Sequence, residues 1–473
     1  MLGIQNSTFQ LDNTYLSTQI QQHVLDNIQH KDNFPVQINI VDSTKDPVEE
    51  KKEDARIGTY FIHVQKGDKV KLQVGSQRTS RLDVIDTTAS SIIDVLGHLI
   101  PTIYLSEHEH YGNIACYSKE KNKDDVSSMR ALKYASEYEV IFSLMNNNPE
   151  HMKMDWEIRE ALDGYLRPFL KEASVVSNLT INSQIQNYAP LSLKPKYKER
   201  VGKPNYHYFE PQHLPHFVNS AEWNLASTVT SSPTINFILY SPSQQESPLR
   251  IHDTKDQPLL TNSFLIPRWG GIVIKNPPKS ASMEYKLTKS DLQPIMKTFL
   301  SQLRTLIGVK DLEITRKSTP HLVTFEPAKK SGITALEKDN WIRSRTFENV
   351  ANTISTLKSL GQLVDEIPNM VVQDHINSKV RASLNCLAAV RQSLSEEDYL
   401  KALRDSIDAI ELAEKAFFDP TMVSMLYFPD EHKYAIYMPL FVPTSVPLLA
   451  ALVKEIKKLK QKKKEKEAKE KKE

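Results

Sequence analysis

From Tyr434 to Val453 the chain runs twenty residues without a charge, and Lys454–Glu473 then brings eleven lysines and five glutamates. At ~1.5 Å rise per residue a helix of this length crosses the ~30 Å hydrocarbon layer of a bilayer, and a lysine-rich flank is what halts a span at the cytosolic face. Residues 432–453 are therefore predicted to be a transmembrane helix and 454–473 a cytosolic tail. Pro439, Pro443 and Pro447 fall four apart inside the run. Each removes a backbone donor and leaves a carbonyl unbonded, so the helix is expected to kink there and to look for a protein neighbour.

The tail carries a net +6, which leaves the rest of the 473 residues at −4 beneath an overall +2. A mildly acidic body argues against a nucleic-acid partner. The basic flank suits anionic lipid headgroups, at ~1 kcal/mol per charge near the surface. With the tail in the cytosol the body belongs across the membrane, yet Met1–Ile20 holds no apolar stretch to carry it there. A tail-anchored cytosolic topology would drag the charged tail through the bilayer. The expectation is instead that residues 1–24 are a juxtamembrane segment following a first span. Composition, 40% hydrophobic and 25% charged, fits a folded body large enough for two cores. Cys116 and Cys386 cannot build a disulfide framework and say nothing of compartment.

Residues 25–325 read as a mixed α/β (α+β) domain. Val36, Ile38 and Ile40 alternate, and Asp42–Arg56 is a charged loop. Tyr60, Ile62 and Val64, a turn at Gln65–Asp68, and Val70, Leu72 and Val74 read as a β-hairpin with one wet face. Glu139–Met145, Thr234–Tyr240 and Ile272–Lys275 are apolar runs of strand length. Helical spacing marks Ser90–Leu105, Asp155–Leu170 and Thr288–Ile307, the last with Leu292, Ile295, Met296, Phe299 and Leu303 in one stripe and Gly308 as its stop. After Pro327 the pattern is helix only. Thr334 with Glu337 is a capping-box signature for a helix to Gly361, Asn377–Gln392 is a second, and Ser395 with Asp398 starts a third that Pro420 ends. Residues 330–420 are thus expected to form a small antiparallel helical bundle ahead of the transmembrane helix.

Candidate chemistry is sparse. His108 and His110 offer two ligands where a zinc site needs three or four, and His207, His213 and His216 are a looser cluster beside Tyr206 and Tyr208. Neither cysteine has a neighbour that would lower its pKa. Among only thirteen glycines there is no phosphate loop, nucleophile elbow or dinucleotide fingerprint. No catalytic, cofactor-binding or metal-ligating residue is assigned. One turn stands out, Arg268-Trp269-Gly270-Gly271, read as a structural motif whose glycines supply positive φ around a packed tryptophan. Asn178-Leu-Thr and Asn6-Ser-Thr are glycosylation sequons. A lipid-attachment signal at the C-terminus is excluded, because such signals end in apolar residues. The alternative from a different class is a membrane-anchored hydrolase using His108, His110 or the cluster from His207 to His216.

Several segments carry a resemblance: Tyr138–Leu144, Asp155–Ile158, Leu214–Asn219, Asn236–Pro242, Ser247–Leu249, Thr261–Phe264, Pro267–Gly271, Arg345–Asn352 and Ala416–Pro420, then Leu426–Asp430 with Tyr434–Phe441. In order from about Glu137 to Val453 they resemble the PIG-S family, a subunit of the GPI-anchor transamidase of the endoplasmic reticulum. The resemblance implies a non-catalytic subunit without a cofactor. It implies a large lumenal domain between two spans, of which residues 1–130, matching poorly, show no counterpart of the first. The implied partners are a catalytic subunit with a Cys and His, other membrane subunits and membrane lipids. Asn178 falls where the family has a sequon, which implies a glycan there; Asn6 would stand too near the first span.

Overall fold

Alternating apolar residues build one sheet of this protein, and unbroken apolar runs build another. The computed structural model describes residues 2–6, 13–26, 38–42, 56–85, 88–104, 132–202, 204–218, 223, 232–278, 283–312, 322–366, 372–421 and 430–470. Cys116, His108, His110 and most of the charged loop after Asp42 lie outside them. Two units are distinguished, Met1–Ala351 with Cys386–Ile407, and Asn352–Asn385 with Asp408–Glu473.

The strands are β1 (Leu2–Asn6), β2 (Ile38–Asp42), β3 (Tyr60–Lys66), β4 (Lys71–Val74), β5 (Thr79–Val84), β6 (Glu137–Asn146), β7 (Lys153–Trp156), β8 (Asn178–Asn187), β9 (Lys196–Lys198), β10 (Tyr206–Phe209), β11 (Thr234–Ser241), β12 (Leu249–Ile251), β13 (Ser263–Ile266), β14 (Gly270–Ile274), β15 (Glu284–Leu287) and β16 (Leu322–Phe325). The first sheet has the order β16-β4-β5-β3-β1-β2. Tyr60, Ile62 and Val64 of β3 and Leu72 and Val74 of β4 are buried, as their alternation requires. The two strands are not the expected hairpin. β5 lies between them, antiparallel to β4 with Leu72 opposite Leu82, and parallel to β3 with Ile62 opposite Ser80. Arg81 and Asp83 hide β5 in the sequence, because only its Ser80, Leu82 and Val84 face inward. Helix Ala89–Leu99 covers this sheet with Ile92, Val95, Leu96 and Leu99, joined by Ile20 and Val24 of helix Asn13–Asp26.

The second sheet has the order β13-β14-β11-β6-β8, with β14, β11, β6 and β8 parallel and β13 antiparallel at one edge. A parallel strand covered on both faces needs apolar side chains on both, and β6, β11 and β14 are buried almost end to end. Helix Lys289–Leu306 lays Phe299 against Phe142 and Phe237, at ring separations of 5.8 and 5.1 Å. Its start is a full capping box between Thr288 and Asp291, and Gly308, at φ +81°, ends it. The expected helix at Asp155 begins later, at Ile158. Lys153–Trp156 alternates exposed and buried residues and pairs as β7 with β15.

Beyond Pro327 the regular elements among the described residues are helices: Ala335–Glu366, Asp374–Ser395, Tyr399–Phe417 and Asp430–Glu470. The first begins at the expected capping box, where Thr334 N donates to Glu337 and Glu337 N to Thr334 Oγ1. It continues past Gly361, where a Cβ would meet nothing within 4 Å. The third starts on Asp398, which accepts from Lys401 N at 3.0 Å, while Ser395 bonds back to the Gln392 carbonyl. Within the first unit Trp341, Ile342 and Leu403 join the core of the second sheet. In the second unit Leu360, Ile376 and Ala416 form a small core. Nearby, Asp419 accepts from Lys379, Thr421 and His375, which together hold its carboxyl well below the usual carboxylate range.

Candidate functional site

The turn Arg268-Trp269-Gly270-Gly271 joins β13 to β14. Trp269 N donates to the Ile266 carbonyl at 3.2 Å, closing a turn with Pro267 at its second position. The left-handed residue is Arg268, at φ +60°, and not either glycine. That corrects the expected reason for the glycines, which is closeness instead. A Cβ on Gly270 would stand 1.9 Å from the Asn236 carbonyl oxygen of β11, and one on Gly271 2.0 Å from Gln302 Oε1. Arg268 thus holds an exposed guanidinium on a backbone conformation that costs an L-residue roughly 1–2 kcal/mol.

Other family-like segments turn out to be joints of the fold. Asn262 bridges two sheets, donating to the Leu249 and Ile274 carbonyls at 3.0 Å each and accepting from Ile251 N at 2.9 Å. Phe217 packs against Phe209, Trp223, Tyr240 and Phe264. Arg345 and Trp341 both donate to the Ile307 carbonyl at the C-terminus of helix Lys289–Leu306, where a cation also complements the helix dipole.

Open parallel sheets place chemistry at the carboxyl ends of their strands. Here the carboxyl end of β6 is bonded internally: Asn146 donates to the Met152 carbonyl at 2.8 Å, and Asn147 to Glu246 at 2.9 Å. His207 lies in ring contact with Tyr197, and His213 and His216 sit in the turn of helix Pro211–His216. These three do not bring ligating atoms together, and among the described residues the group that does is His23, Asp94 and His98. One arrangement escaped sequence reading because its tyrosine lies 46 residues from its histidine. His252 is buried between Asp256 Oδ1, 2.6 Å from Nδ1, and the Tyr206 hydroxyl, 3.1 Å from Nε2, with the Tyr208 ring stacked on it at 4.2 Å. This is an acid–imidazole–hydroxyl chain, and because Tyr206 is itself buried its hydroxyl ties β10 to the residue that follows β12. Cys386 is half-buried on helix Asp374–Ser395. Asn178 is exposed at the start of β8, within 3.3 Å of Glu137, which also accepts from Thr180 of the same sequon.

Among the described residues the last helix exposes a long run of large apolar side chains. Tyr434–Gln461 is long and apolar enough to cross a membrane, and its apolar stretch is not buried within the protein. Pro439, Pro443 and Pro447 lie inside one helical segment. The carbonyls of Ala435, Pro439 and Pro443 accordingly lack their i+4 donors. Thr444 and Ser445 turn their hydroxyls back onto the Phe441 carbonyl, which hides two polar groups from an apolar medium.

The family model described as "Phosphatidylinositol-glycan biosynthesis class S protein" (PIG-S) matches residues 4–462. The chain is 37% identical over 329 residues to a Bos taurus protein named "GPI-anchor transamidase component PIGS", covering 69% of this chain and 58% of that protein. A Homo sapiens protein of the same name is 35% identical over 338 residues, 71% of this chain and 60% of its own length. The Schizosaccharomyces pombe "GPI transamidase component PIG-S homolog" is 28% identical over 349 residues, 74% and 59% respectively. The chain thus spans less than two thirds of the length of each of these three relatives. With a match from residue 4 to residue 462 and a described fold of mixed sheets, a helical C-terminal region and one membrane-length helix, the chain belongs to the PIG-S family.

Proposed function

We propose that this chain is a non-catalytic subunit of a GPI-anchor transamidase complex in the endoplasmic reticulum membrane, where preassembled GPI is joined to the C-terminus of proteins. The family match carries the reading. The Tyr434–Gln461 helix anchors the chain with Lys454–Glu473 in the cytosol and the folded bulk in the lumen, where Asn178 accepts a glycan. Catalysis belongs to another subunit. In support, the carboxyl end of β6 carries amides bonded within the fold, Ser243 beyond β11 donates to Glu246, and Tyr206 is buried.

The proline-bearing helix packs on partner helices. Its unpaired carbonyls gain from donors on a neighbouring protein and gain nothing from lipid. Replacing Pro439 and Pro443 by leucine restores two helix hydrogen bonds and removes that need. The double variant should insert and fold normally but recover markedly less of the other transamidase subunits on affinity purification. Unchanged recovery would refute the packing role.

Arg268 is the second proposed contact, because its exposed side chain is kept on a left-handed backbone that glycine would fill at no steric cost. Arg268→Gly should leave the thermal midpoint equal or higher, gaining up to about 1 kcal/mol, while reducing subunit recovery. A variant that is less stable, with full recovery, would make Arg268 a fold residue and nothing more.

A further inference from the structure

Helices Asn13–Asp26 and Ala89–Leu99 face each other across three side chains of metal-ligand chemistry. His23 Nε2 stands 3.8 Å from Asp94 Oδ1, and His98 Nε2 stands 3.7 Å from the same oxygen. All three ligand atoms fall within 4.8 Å of one another. Donors around a tetrahedral zinc at ~2.0–2.1 Å are about 3.3–3.5 Å apart, so the two N–O edges need to close by only a few tenths of an ångström. Asp94 and His98 are one turn apart and share a helix face. His23 comes from the opposing helix, its ring edge-on to that of His98 at 5.9 Å and 79°.

A second observation shows that the place of the His23 ring is built into the fold. Gly97 is buried in the Ala89–Leu99 helix, and a Cβ there would lie 1.9 Å from His23 Cδ2. Glycine in a helix interior costs ~1 kcal/mol relative to alanine. That cost admits the imidazole against the backbone of the neighbouring helix, one residue from His98 and three from Asp94. Asp94 and His98 are exposed, which leaves a further coordination position to water.

We propose that His23, Asp94 and His98 form a zinc site that clamps the Asn13–Asp26 helix onto the Ala89–Leu99 helix. Two imidazoles and one carboxylate suit zinc, whereas calcium and magnesium take oxygen donors. The site falls within the family match but outside the segments on which the resemblance was read, and it does not rest on the proposed transamidase role. The ligands stand 75 residues apart at the extremes, which is why no sequence motif announces them.

The test uses the full chain, without a polyhistidine tag, purified in detergent, stripped with chelator and equilibrated with zinc sulfate. Wild type is expected to retain one more equivalent of zinc than the His23→Ala/His98→Ala variant, and to gain thermal stability with zinc that the variant does not gain. Asp94→Asn should weaken uptake by more than the ~10–100-fold that loss of an outer-shell partner costs. His151→Ala, at an exposed histidine elsewhere, should take up zinc as wild type does. Gly97→Ala keeps all three ligands but displaces the His23 ring, and should also lose the equivalent. Because His98 is exposed, His98→Ala alone separates loss of zinc from loss of fold. Equal zinc uptake by wild type and the double variant would overturn the site, as would equal displacement of zinc by magnesium.

Discussion

Asp339→Ala is expected to destabilise the first unit by about 3–5 kcal/mol, because it leaves a largely buried guanidinium without its counter-ion. Asp339 is fully buried at the start of helix Ala335–Glu366 and takes both arms of Arg78, at 2.7 Å each. It also accepts from the Tyr60 hydroxyl at 3.1 Å and from Gly58 N at 3.5 Å. Burial above all pushes the Tyr60 phenol well above its ordinary pKa, so it remains a donor. Arg343 adds a bond to the Tyr104 carbonyl at 3.1 Å. The first turns of this helix therefore join the first sheet by these polar bonds as well as by the buried Leu336. Hydrogen exchange by mass spectrometry should show β3, β5 and residues 335–345 losing protection together in Asp339→Ala, with Asp339→Asn intermediate. Replacing the pair together, as Arg78→Met/Asp339→Leu, should recover part of the loss. Protection equal to wild type in Asp339→Ala would refute the assignment.

Gly270→Ala is expected to cost about 3 kcal/mol or more, above the usual 1–3 for an overpacked site, since the obstacle is main chain. The added carbon would meet the Asn236 carbonyl of β11, and relief requires two central strands of the second sheet to part. Gly271→Ala is the internal control. Its obstacle is the end of Gln302, which can swing away at the loss of its 2.9 Å bond to the Phe264 carbonyl, about 1 kcal/mol. Thermal midpoints should fall clearly further for Gly270→Ala than for Gly271→Ala. Equal midpoints would mean that the strands yield.

What the sequence made legible follows from how local each cause is. β6, β11 and β14 were readable because burial on both faces writes itself as an unbroken apolar run. Helix Lys289–Leu306 was readable because stripe, cap and stop lie within twenty residues of one another. β5 and β8 were not, since an inner strand with one polar face and a polar edge strand each lack that run. The Gly361 stop and the Ser395 start are misplaced because each residue type marks a boundary only when geometry agrees: Gly361 faces open space and Asp398 caps the helix in place of Ser395. The surface turn at Arg268 was visible, but its reason was not, because the atom that demands glycine belongs to residue 236. The same holds for His23 and His98, and for Arg78 and Asp339, whose partnership exists only after folding.

The distance between Arg78 and Asp339 also sets an order of events during synthesis. The arginine leaves the ribosome 261 residues ahead of its carboxylate. β4, likewise, is made long before β16, the parallel edge strand it pairs with. At ~5–20 residues per second the nascent N-terminal sheet waits about 10–50 s with a bare cation and an uncovered edge. Closure of the early sheet is thus paced by synthesis of the chain as far as Asp339.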